Sequence, residues 1–339
     1  MREAVAFHHL DLSGLTVFTE IGTGSFVTTP FIAAMGDAEH VYAITRDSVY
    51  GTASSVASLA EGLAQLCEMD GRIEVVTTKT PEKLGQADIV TNLGFVRPID
   101  AGTVDMMKPG AVVPMMCEGW EFRDGDLDLD ACARRGIVVV ETNEDYPGLA
   151  VFDFCGPLCL KLLLEAEIEV YKSQIAVVSS DKFGLVIEEC LRRNGAQVRR
   201  FTRMSDTGME DFLAAADALV IADYGNRGRL LGLDGQMTVE QLEEIAPGIV
   251  VIPFAGRVDV DALRRASIWC LPRAGREATR MARSLAYLGV KPVVDLHCAG
   301  LKVAEVVLRQ QAGDRDEDAL NAALGTRGAL ITREIRPSA

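Results

Sequence analysis

The sequence predicts an α/β protein with two domains, each built around a doubly wound parallel sheet. The segment Ser173–Thr202 reads as strand, tight turn, helix and strand, which is the repeating unit of an open parallel sheet. The residues before Pro147 show the same alternation of short apolar runs and helical patterns. The chain of 339 residues is also longer than one ordinary hydrophobic core requires. Together these features predict two Rossmann-like domains joined by a long helix, with a cleft between them.

The turn Ser179–Phe183 is the part of the second half that we expect to face a ligand. It follows the apolar run Ile175–Val178 and precedes a helical pattern that ends at Gly195. The segment Gln197–Phe201 reads as the next strand. Because ligands of open parallel sheets bind beyond the carboxyl ends of the strands, we expect cofactor contacts there. The candidates are Ser179, Ser180, Asp181, Lys182, Phe183 and Arg200.

The first half is predicted to contain six strands and to end at a long apolar helix. The strands are Leu15–Thr19, Val41–Thr45, Ile73–Thr77, Ala87–Asn92, Ala111–Met115 and Ile137–Glu141. The helix is predicted over Gly148–Tyr171, and further helices are predicted from near Arg276 and over Gly300–Gln311. We therefore place one domain at residues 1–147, together with returning helices in 285–339, and the second at residues 148–284.

Composition restricts the classes of partner. The formal charge of −15 argues against nucleic acid and anionic membranes. The sequence contains no apolar run of the roughly 20 residues that span a bilayer, and no secretory signal begins it. Eight scattered cysteines indicate reduced thiols, and four histidines make a metal site unexpected. We expect a cytoplasmic homodimer that acts on a small-molecule substrate.

A second candidate for nucleotide binding lies near the amino terminus. Gly22 and Gly24 follow the first strand, and Asp47 follows the second. Two glycines let the backbone turn sharply beside a ligand, and an acid at that distance suits a ribose diol. The turn also resembles the first motif of S-adenosylmethionine-dependent methyltransferases. A tight turn without a ligand is the alternative interpretation.

Charged and aromatic residues cluster after the fifth strand, at Glu118, Trp120, Glu121 and Arg123. A carboxylate and a guanidinium beside an indole could orient a small charged substrate. A structural ion pair and a core tryptophan form the alternative. Three polar residues that follow other strands are further substrate candidates, although loop capping is the favoured interpretation of each one alone. They are Asn92, Arg97 and Asn143.

Three more residues complete the catalytic candidates. Arg257 and Arg273 follow strands of the second half and would place two cations in the cleft, which suits a carboxylate or phosphate ligand. His297 is the best acid–base candidate available, although a core or helix-cap histidine is the favoured interpretation.

The chain resembles the D-isomer-specific 2-hydroxyacid dehydrogenase superfamily over roughly residues 85–310. The segment DLDLDACARRGIVVVETN is similar to a characteristic family segment, and IAVVSSDKFG stands where the dinucleotide turn belongs. VDVDAL and LPRAGREAT resemble the segments that flank the catalytic cluster. The resemblance implies an NAD(P)-dependent oxidoreductase that acts on a small polar or carboxylate-bearing metabolite.

The sequence departs from that family at the residues that carry the chemistry. The glycines of the family's G-x-G-x-x-G turn are replaced by Ser179 and Asp181, and only Gly184 is kept. Arg273 stands where the family has its general-acid histidine. We therefore keep two alternatives: a transferase that uses S-adenosylmethionine or another nucleotide at Gly22–Asp47, and a non-catalytic binding subunit. Because the first half keeps two glycines and an acid, a tight adenine nucleotide is expected to depend more on it.

If a dinucleotide binds the second half, basic residues there indicate which form it takes. Arg199, Arg200 and Arg203 lie at or just beyond the end of the second strand of this half. A 2′-phosphate favours guanidinium partners, so the sequence predicts a preference for NADP over NAD.

Overall fold

The computed structural model describes residues 1–69, 71–146, 148–273 and 279–311. These residues form two compact units. Unit 1 comprises residues 1–150 and, in the described part, 289–311, whereas unit 2 comprises Val151–Leu288. The sequence places the corresponding boundaries at residues 147 and 284. The identity of the units as separate domains, and the cleft between them, stay predictions.

The strands are short and apolar. They are β1 Thr16–Glu20, β2 His40–Ile44, β3 Ile73–Val76, β4 Ile89–Val90, β5 Val112–Pro114, β6 Val138–Val140, β7 Gln174–Val178, β8 Gln197–Phe201, β9 Ala218–Ala222, β10 Arg229–Leu231, β11 Val250–Ala255 and β12 Arg257–Val258.

The α-helices alternate with these strands. They are α1 Arg2–Phe7, α2 Thr28–Met35, α3 Ala53–Leu66, α4 Pro81–Leu84, α5 Ala101–Met106, α6 Leu129–Arg135, α7 Cys155–Glu165, α8 Lys182–Arg193, α9 Met209–Leu213, α10 Val239–Ile245, α11 Val260–Arg265 and α12 Lys291–Gln311. Short 3₁₀ turns lie at Gly24–Val27, Gly119–Glu121, Val151–Phe154 and Leu285–Tyr287.

Unit 1 is a doubly wound parallel sheet with the strand order β3-β2-β1-β4-β5-β6. Every strand pair is parallel. Helices α1, α2, α3 and α12 contribute to the apolar cluster on one face, and α4, α5 and α6 contribute to the cluster on the other. The order reverses between β1 and β4, which is where open sheets of this kind leave a crevice.

Unit 2 has a four-stranded parallel sheet in the order β11-β9-β7-β8. Helices α7 and α8 cover one face, and α9, α10 and α11 cover the other. A parallel bridge from Val251 to Cys270 extends the sheet beyond β11. The order reverses between β7 and β9. Both units thus confirm the predicted fold class.

Two of the predicted helices are wrong in their bounds. The helix expected over Gly148–Tyr171 is only α7, eleven residues long and preceded by a 3₁₀ turn. Ala150 and Glu167 both have positive φ, at 40° and 65°, which interrupts a right-handed helix on either side. Pro157 also fits only within a first turn, because it has no amide hydrogen to donate. Near the carboxyl terminus, residues 291–311 form the single helix α12, and Arg276 lies outside the described residues.

No helix in the described part of the chain combines the length and the apolar character needed to cross a bilayer.

His297 lies in the core of unit 1, on the face of α12 that packs against α2. Its Nδ1 is 2.7 Å from the hydroxyl of Thr29, and the residue is only 4% exposed. Burial disfavours the charged imidazolium and lowers the pKa of His297 to about 4. This position supports the interpretation of His297 as a core residue over its expected role as an acid–base group.

The burial of His297 predicts a loss of stability in mild acid. The unfolded chain takes up the proton near pH 6.5, whereas the folded chain does so only near pH 4, so stability falls as the pH drops through this window. The expected loss is about 3 kcal/mol for a single buried histidine. Urea unfolding at several pH values should show a weaker pH dependence in His297→Gln. Substitution of the exposed His9 by Gln is the control, and an equal dependence in both variants would contradict the assignment.

Candidate functional site

The strand ends of unit 2 are joined by two aspartates. The backbone amide of Ser180 donates to Oδ1 of Asp223 over 3.2 Å, and the Ser180 hydroxyl donates to the same oxygen over 2.7 Å. Asp223 follows β9 and is fully buried. Its Oδ2 accepts from the side-chain amide of Asn226 over 3.0 Å. The turn after β7 is therefore fixed to the loop after β9, at the point where the strand order reverses.

Asp181 makes the second connection. It is the residue before α8, and its Oδ1 accepts from the Phe183 amide and from the Ser179 hydroxyl, each over 3.0 Å. Its Oδ2 accepts from the amides of Tyr224 and Gly225, over 2.8 and 3.2 Å. Burial raises the pKa of Asp181, the amide bonds oppose this, and the charge of Asp223 adds to the rise. Both carboxylate oxygens are thus occupied by donors of the chain itself.

Gly184 explains why one glycine of the turn is retained. A Cβ at this position would lie 2.4 Å from Cβ of Ser179 and 2.9 Å from Cδ of Arg200. The Gly184 amide also donates to the Ser179 hydroxyl over 3.1 Å, which holds the two residues together. Close packing of α8 on β7 therefore requires glycine here.

A polar pocket opens beside this turn, beyond the ends of β7, β8 and β9. Its volume is about 470 Å³, within the range of small-molecule sites. It is lined by Ser180, Thr202, Arg203, Asp206, Asp223, Asn226 and Gln236. An open sheet binds the nucleoside end of a nucleotide in this position, between the first strand and the strand beside it.

Most of the residues that line the pocket escaped the sequence-based assignment. Asp206 accepts three hydrogen bonds at Oδ2, from the amide and hydroxyl of Thr202 and from the Arg203 amide, over 2.8, 2.7 and 3.1 Å. These bonds hold the pKa of Asp206 below its usual value. The sequence signal for this site is Asp206 itself, five residues beyond the end of β8. An acid that binds ribose is usually expected at the end of the strand, so this position was overlooked.

Three predicted cofactor contacts of unit 2 point elsewhere. The Lys182 amine lies 3.7 Å above the ring of Phe152. Phe183 is buried and stacks on Tyr224 at 5.3 Å. Arg200 pairs with Glu188, with 3.1 Å between Nε and Oε2. Of the six predicted contacts, only Ser180 lines the pocket.

The glycine turn of unit 1 directly follows a buried glutamate, Glu20. Gly24 adopts φ of 59°, and a Cβ on Gly22 would lie 3.2 Å from Cβ of Phe26. Glu20, the last residue of β1, accepts from the Phe95 amide over 2.9 Å, and burial raises its pKa. Asp47 is exposed and accepts from the Ala53 amide over 2.8 Å, so it closes its own loop before α3. Nucleotide binding by these residues stays a prediction.

A group of acidic residues lies at the ends of β5 and β6 in unit 1. Trp120 is 43% exposed, and its indole nitrogen donates to Glu118 over 2.5 Å. Glu121 accepts from the Glu118 amide over 3.4 Å and shares a side-chain hydrogen bond with Glu144. Burial raises the pKa of Glu121, and the Glu118 amide and the Arg123 charge oppose this rise.

The other predicted residues of unit 1 stabilise local structure. Arg97 pairs with Asp126 at 2.7 Å, and Arg123 lies 3.7 Å from the same carboxylate oxygen. Asn92 accepts from the Met116 amide over 3.0 Å and so connects the ends of β4 and β5. Asn143 accepts from the Asp145 amide over 3.1 Å within its own turn.

The two arginines of unit 2 are separately engaged. Arg257 donates to the Arg227 carbonyl over 3.3 Å, and the Arg273 guanidinium lies 4.3 Å from the centre of the Trp269 ring. Among the described residues, no group of His, Cys, Asp and Glu side chains is arranged to hold a metal ion.

The burial of the Glu121 carboxyl group predicts the effect of Glu121→Gln. A raised carboxyl pKa means that stability from this group is present at low pH and is lost as the pH rises through the folded value. Gln removes the buried charge and keeps an acceptor for the Glu118 amide. We expect it to raise the free energy of unfolding at pH 8 by about 1 kcal/mol. Denaturant unfolding measures this, with the exposed Glu61→Gln as control; a loss of stability at pH 8 would contradict it.

Comparison with known proteins reveals similarity in structure only. No family model matches the sequence, and no characterised protein matches it. The dipicolinate synthase structure from Bacillus halodurans superposes with a TM-score of 0.56 at 12% identity, over 89% of this chain and 99% of that one. The dipicolinate synthase structure from Bacillus subtilis gives 0.55 at 13% identity, over 90% and 99%.

A third structure belongs to the pyruvate reductase of Chlamydomonas reinhardtii, with a TM-score of 0.50 at 11% identity, over 93% of this chain and 99% of that one. The resemblance to the D-isomer-specific 2-hydroxyacid dehydrogenase superfamily is thus confirmed in the fold.

Proposed function

We propose that this chain is an NAD(P)-dependent oxidoreductase-like enzyme that acts on a small polar or carboxylate-bearing metabolite. The observation that carries this proposal is the polar pocket at the switch point of unit 2. The fold supports it, because its neighbours are named for a pyruvate reductase and a dipicolinate synthase. Both names refer to small carboxylates. Homodimerisation and a cytoplasmic location remain part of the proposal.

The pocket offers complementary groups for a ribose. Oδ2 of Asp206 is held by Thr202 and Arg203, which fixes the carboxylate and leaves its Oδ1 as the acceptor that we assign to a ribose hydroxyl. The Arg203 guanidinium, which is exposed, provides a cation for a 2′-phosphate. When bound, the nicotinamide would supply hydride transfer, and the residues named here would hold and orient its adenosine end.

Glu121 is our candidate for the group that holds a proton in the reaction. Arg273 stands at the family's histidine position and cannot release a proton at neutral pH. His297 is enclosed in the core. Burial raises the pKa of Glu121, which favours its protonated form, and Glu121 and Glu144 follow strand ends of unit 1, which is the side where ligands of parallel sheets bind.

Binding and turnover test this function separately. Thermal unfolding with NAD, NADH, NADP and NADPH should show stabilisation by at least one form, because a ligand that binds the folded chain raises its stability. Oxidation of the reduced form should then be followed with a panel of small 2-oxo acids. Absence of stabilisation by all four forms would contradict the proposal.

Arg203 is predicted to decide between NADP and NAD. Of the three arginines at the end of β8, only Arg203 lines the pocket, whereas Arg200 is bound to Glu188. Arg203→Ala should weaken NADP binding about tenfold, the effect of losing one charge-assisted contact, and change NAD binding little. Calorimetric titration measures both, with Arg200→Ala as the matched control. An equal loss for both cofactors would contradict this role.

A non-catalytic binding subunit is the second candidate. One contact favours a non-catalytic role: the Arg273 guanidinium lies against the Trp269 ring, at the position where the family has its proton donor. Ligand binding without turnover of any 2-oxo acid would support this function. The comparisons give no support to S-adenosylmethionine as the cofactor.

A further inference from the structure

We propose that Asp181 determines the ligand preference of the unit 2 pocket: its carboxylate fills the phosphate subsite, so the pocket recognises the nucleoside part of its ligand and the phosphate groups add little to the affinity. The proposal rests on the proposed function, because it concerns the same pocket. It treats Asp181 as an internal anion that competes with the phosphates of any dinucleotide.

The geometry around Asp181 is that of a bound anion. Three backbone amides donate to its two oxygens, one at the start of α8 and two in the loop after β9. Amides at a helix start and in adjoining loops are the donors that an α/β sheet offers to phosphate. A phosphate at this position would have to displace the carboxylate from all of them.

A helix cap alone does not require this arrangement. An N-cap aspartate needs only one oxygen, which accepts from one amide of its own helix. Asp128, the N-cap of α6, is an example, because it accepts from the Ala131 amide in the first turn of that helix. The Oδ2 of Asp181 instead bonds to Tyr224 and Gly225, which lie more than forty residues further along the chain. This oxygen occupies the switch point itself.

Charge near the turn adds to the exclusion. The fully buried Asp223 carboxylate is bonded to Ser180, so a phosphate would meet two carboxylates. Two cations beside the turn are engaged by other groups, since Lys182 lies over the Phe152 ring and Arg200 pairs with Glu188, whereas Arg203 lines the adjoining pocket. Repulsion between like charges is strong in a partly desolvated site.

The adjoining pocket still suits an uncharged nucleoside. Its lining provides the Asp206 carboxylate and the polar side chains of Asn226 and Gln236, beside Ser180. These groups lie beyond the strand ends, and a nucleoside could bind to them without contacting the amides that donate to Asp181. The ligand class is therefore a ribonucleoside, with a phosphate tolerated only where it avoids the start of α8.

The test compares ligands that differ in phosphate. Adenosine, ADP and NAD are titrated calorimetrically into the full-length protein and into Asp181→Gly and Asp181→Asn. Glycine removes both charge and bulk. Asparagine removes the charge while remaining a good N-cap, so it keeps the test valid if the glycine variant does not fold. Asp128→Gly is the matched control, because it removes a helix cap outside the pocket.

We expect the native chain to bind ADP and NAD no more than about threefold tighter than adenosine. Asp181→Gly should bind ADP and NAD at least about tenfold tighter than the native chain, with adenosine changed less than about threefold. Asp181→Asn should shift in the same direction by a smaller factor, and Asp128→Gly should match the native chain.

Two outcomes would overturn the inference. One is native binding of NAD more than about tenfold tighter than adenosine, in which case the proposed function stands and the role of Asp181 fails. The other is an equal gain for all three ligands, or no gain, in both Asp181 variants. If only the variants bind NAD, the inference holds and the native chain is not an NAD(P) enzyme. If no form binds any ligand, both proposals fail.

Discussion

The unit 2 site depends on one carboxylate that joins two strand ends and a helix. Asp181 accepts from the Phe183 amide at the start of α8 and from two amides of the loop after β9, and Ser179 completes the turn by accepting from the Gly184 amide. Behind this turn, Phe183 packs between Phe152 and Tyr224, at ring distances of 5.1 and 5.3 Å. The hydrogen bonds of Asp181 and the aromatic packing of Phe183 therefore fix the same turn, which lies beside the pocket.

Unit 1 also has a buried carboxylate that bridges two strand ends at the point where its strand order reverses. Glu20 ends β1 and accepts from the Phe95 amide in the loop after β4, across the point where the strand order reverses. Burial raises the pKa of Glu20, as it does for Asp181. In both units, a carboxyl side chain thus accepts hydrogen bonds from backbone amides near the strand ends. An open parallel sheet would otherwise offer such amides to a ligand.

The sequence predicted the layers better than the site. Runs such as Ile175–Val178 are apolar and β-branched, so the strands and their alternation with helices could be read directly. The length of α7 could not, because the positive φ of Ala150 and Glu167 depends on packing and neither residue favours that conformation. Asp206 could not be assigned from the sequence because a turn after β8 brings it to the pocket. The hydrogen bonds from the loop after β9 to Asp181 could not be predicted either, because they join residues far apart in sequence.

Glycines in the family motif have two roles, close packing of the helix on the strand and close approach of phosphate to the backbone, and in this turn only the packing glycine is present. None of Ser179, Ser180 and Asp181 has positive φ, so the chain makes this turn without the conformational freedom of glycine. The retained Gly184 is the position where a Cβ would collide with Ser179. Packing therefore preserves one glycine, while the two that would let phosphate approach the backbone have been replaced. The turn thus forms with Asp181 at a position where the family motif has glycine, and by our proposal this carboxylate sets what the site binds.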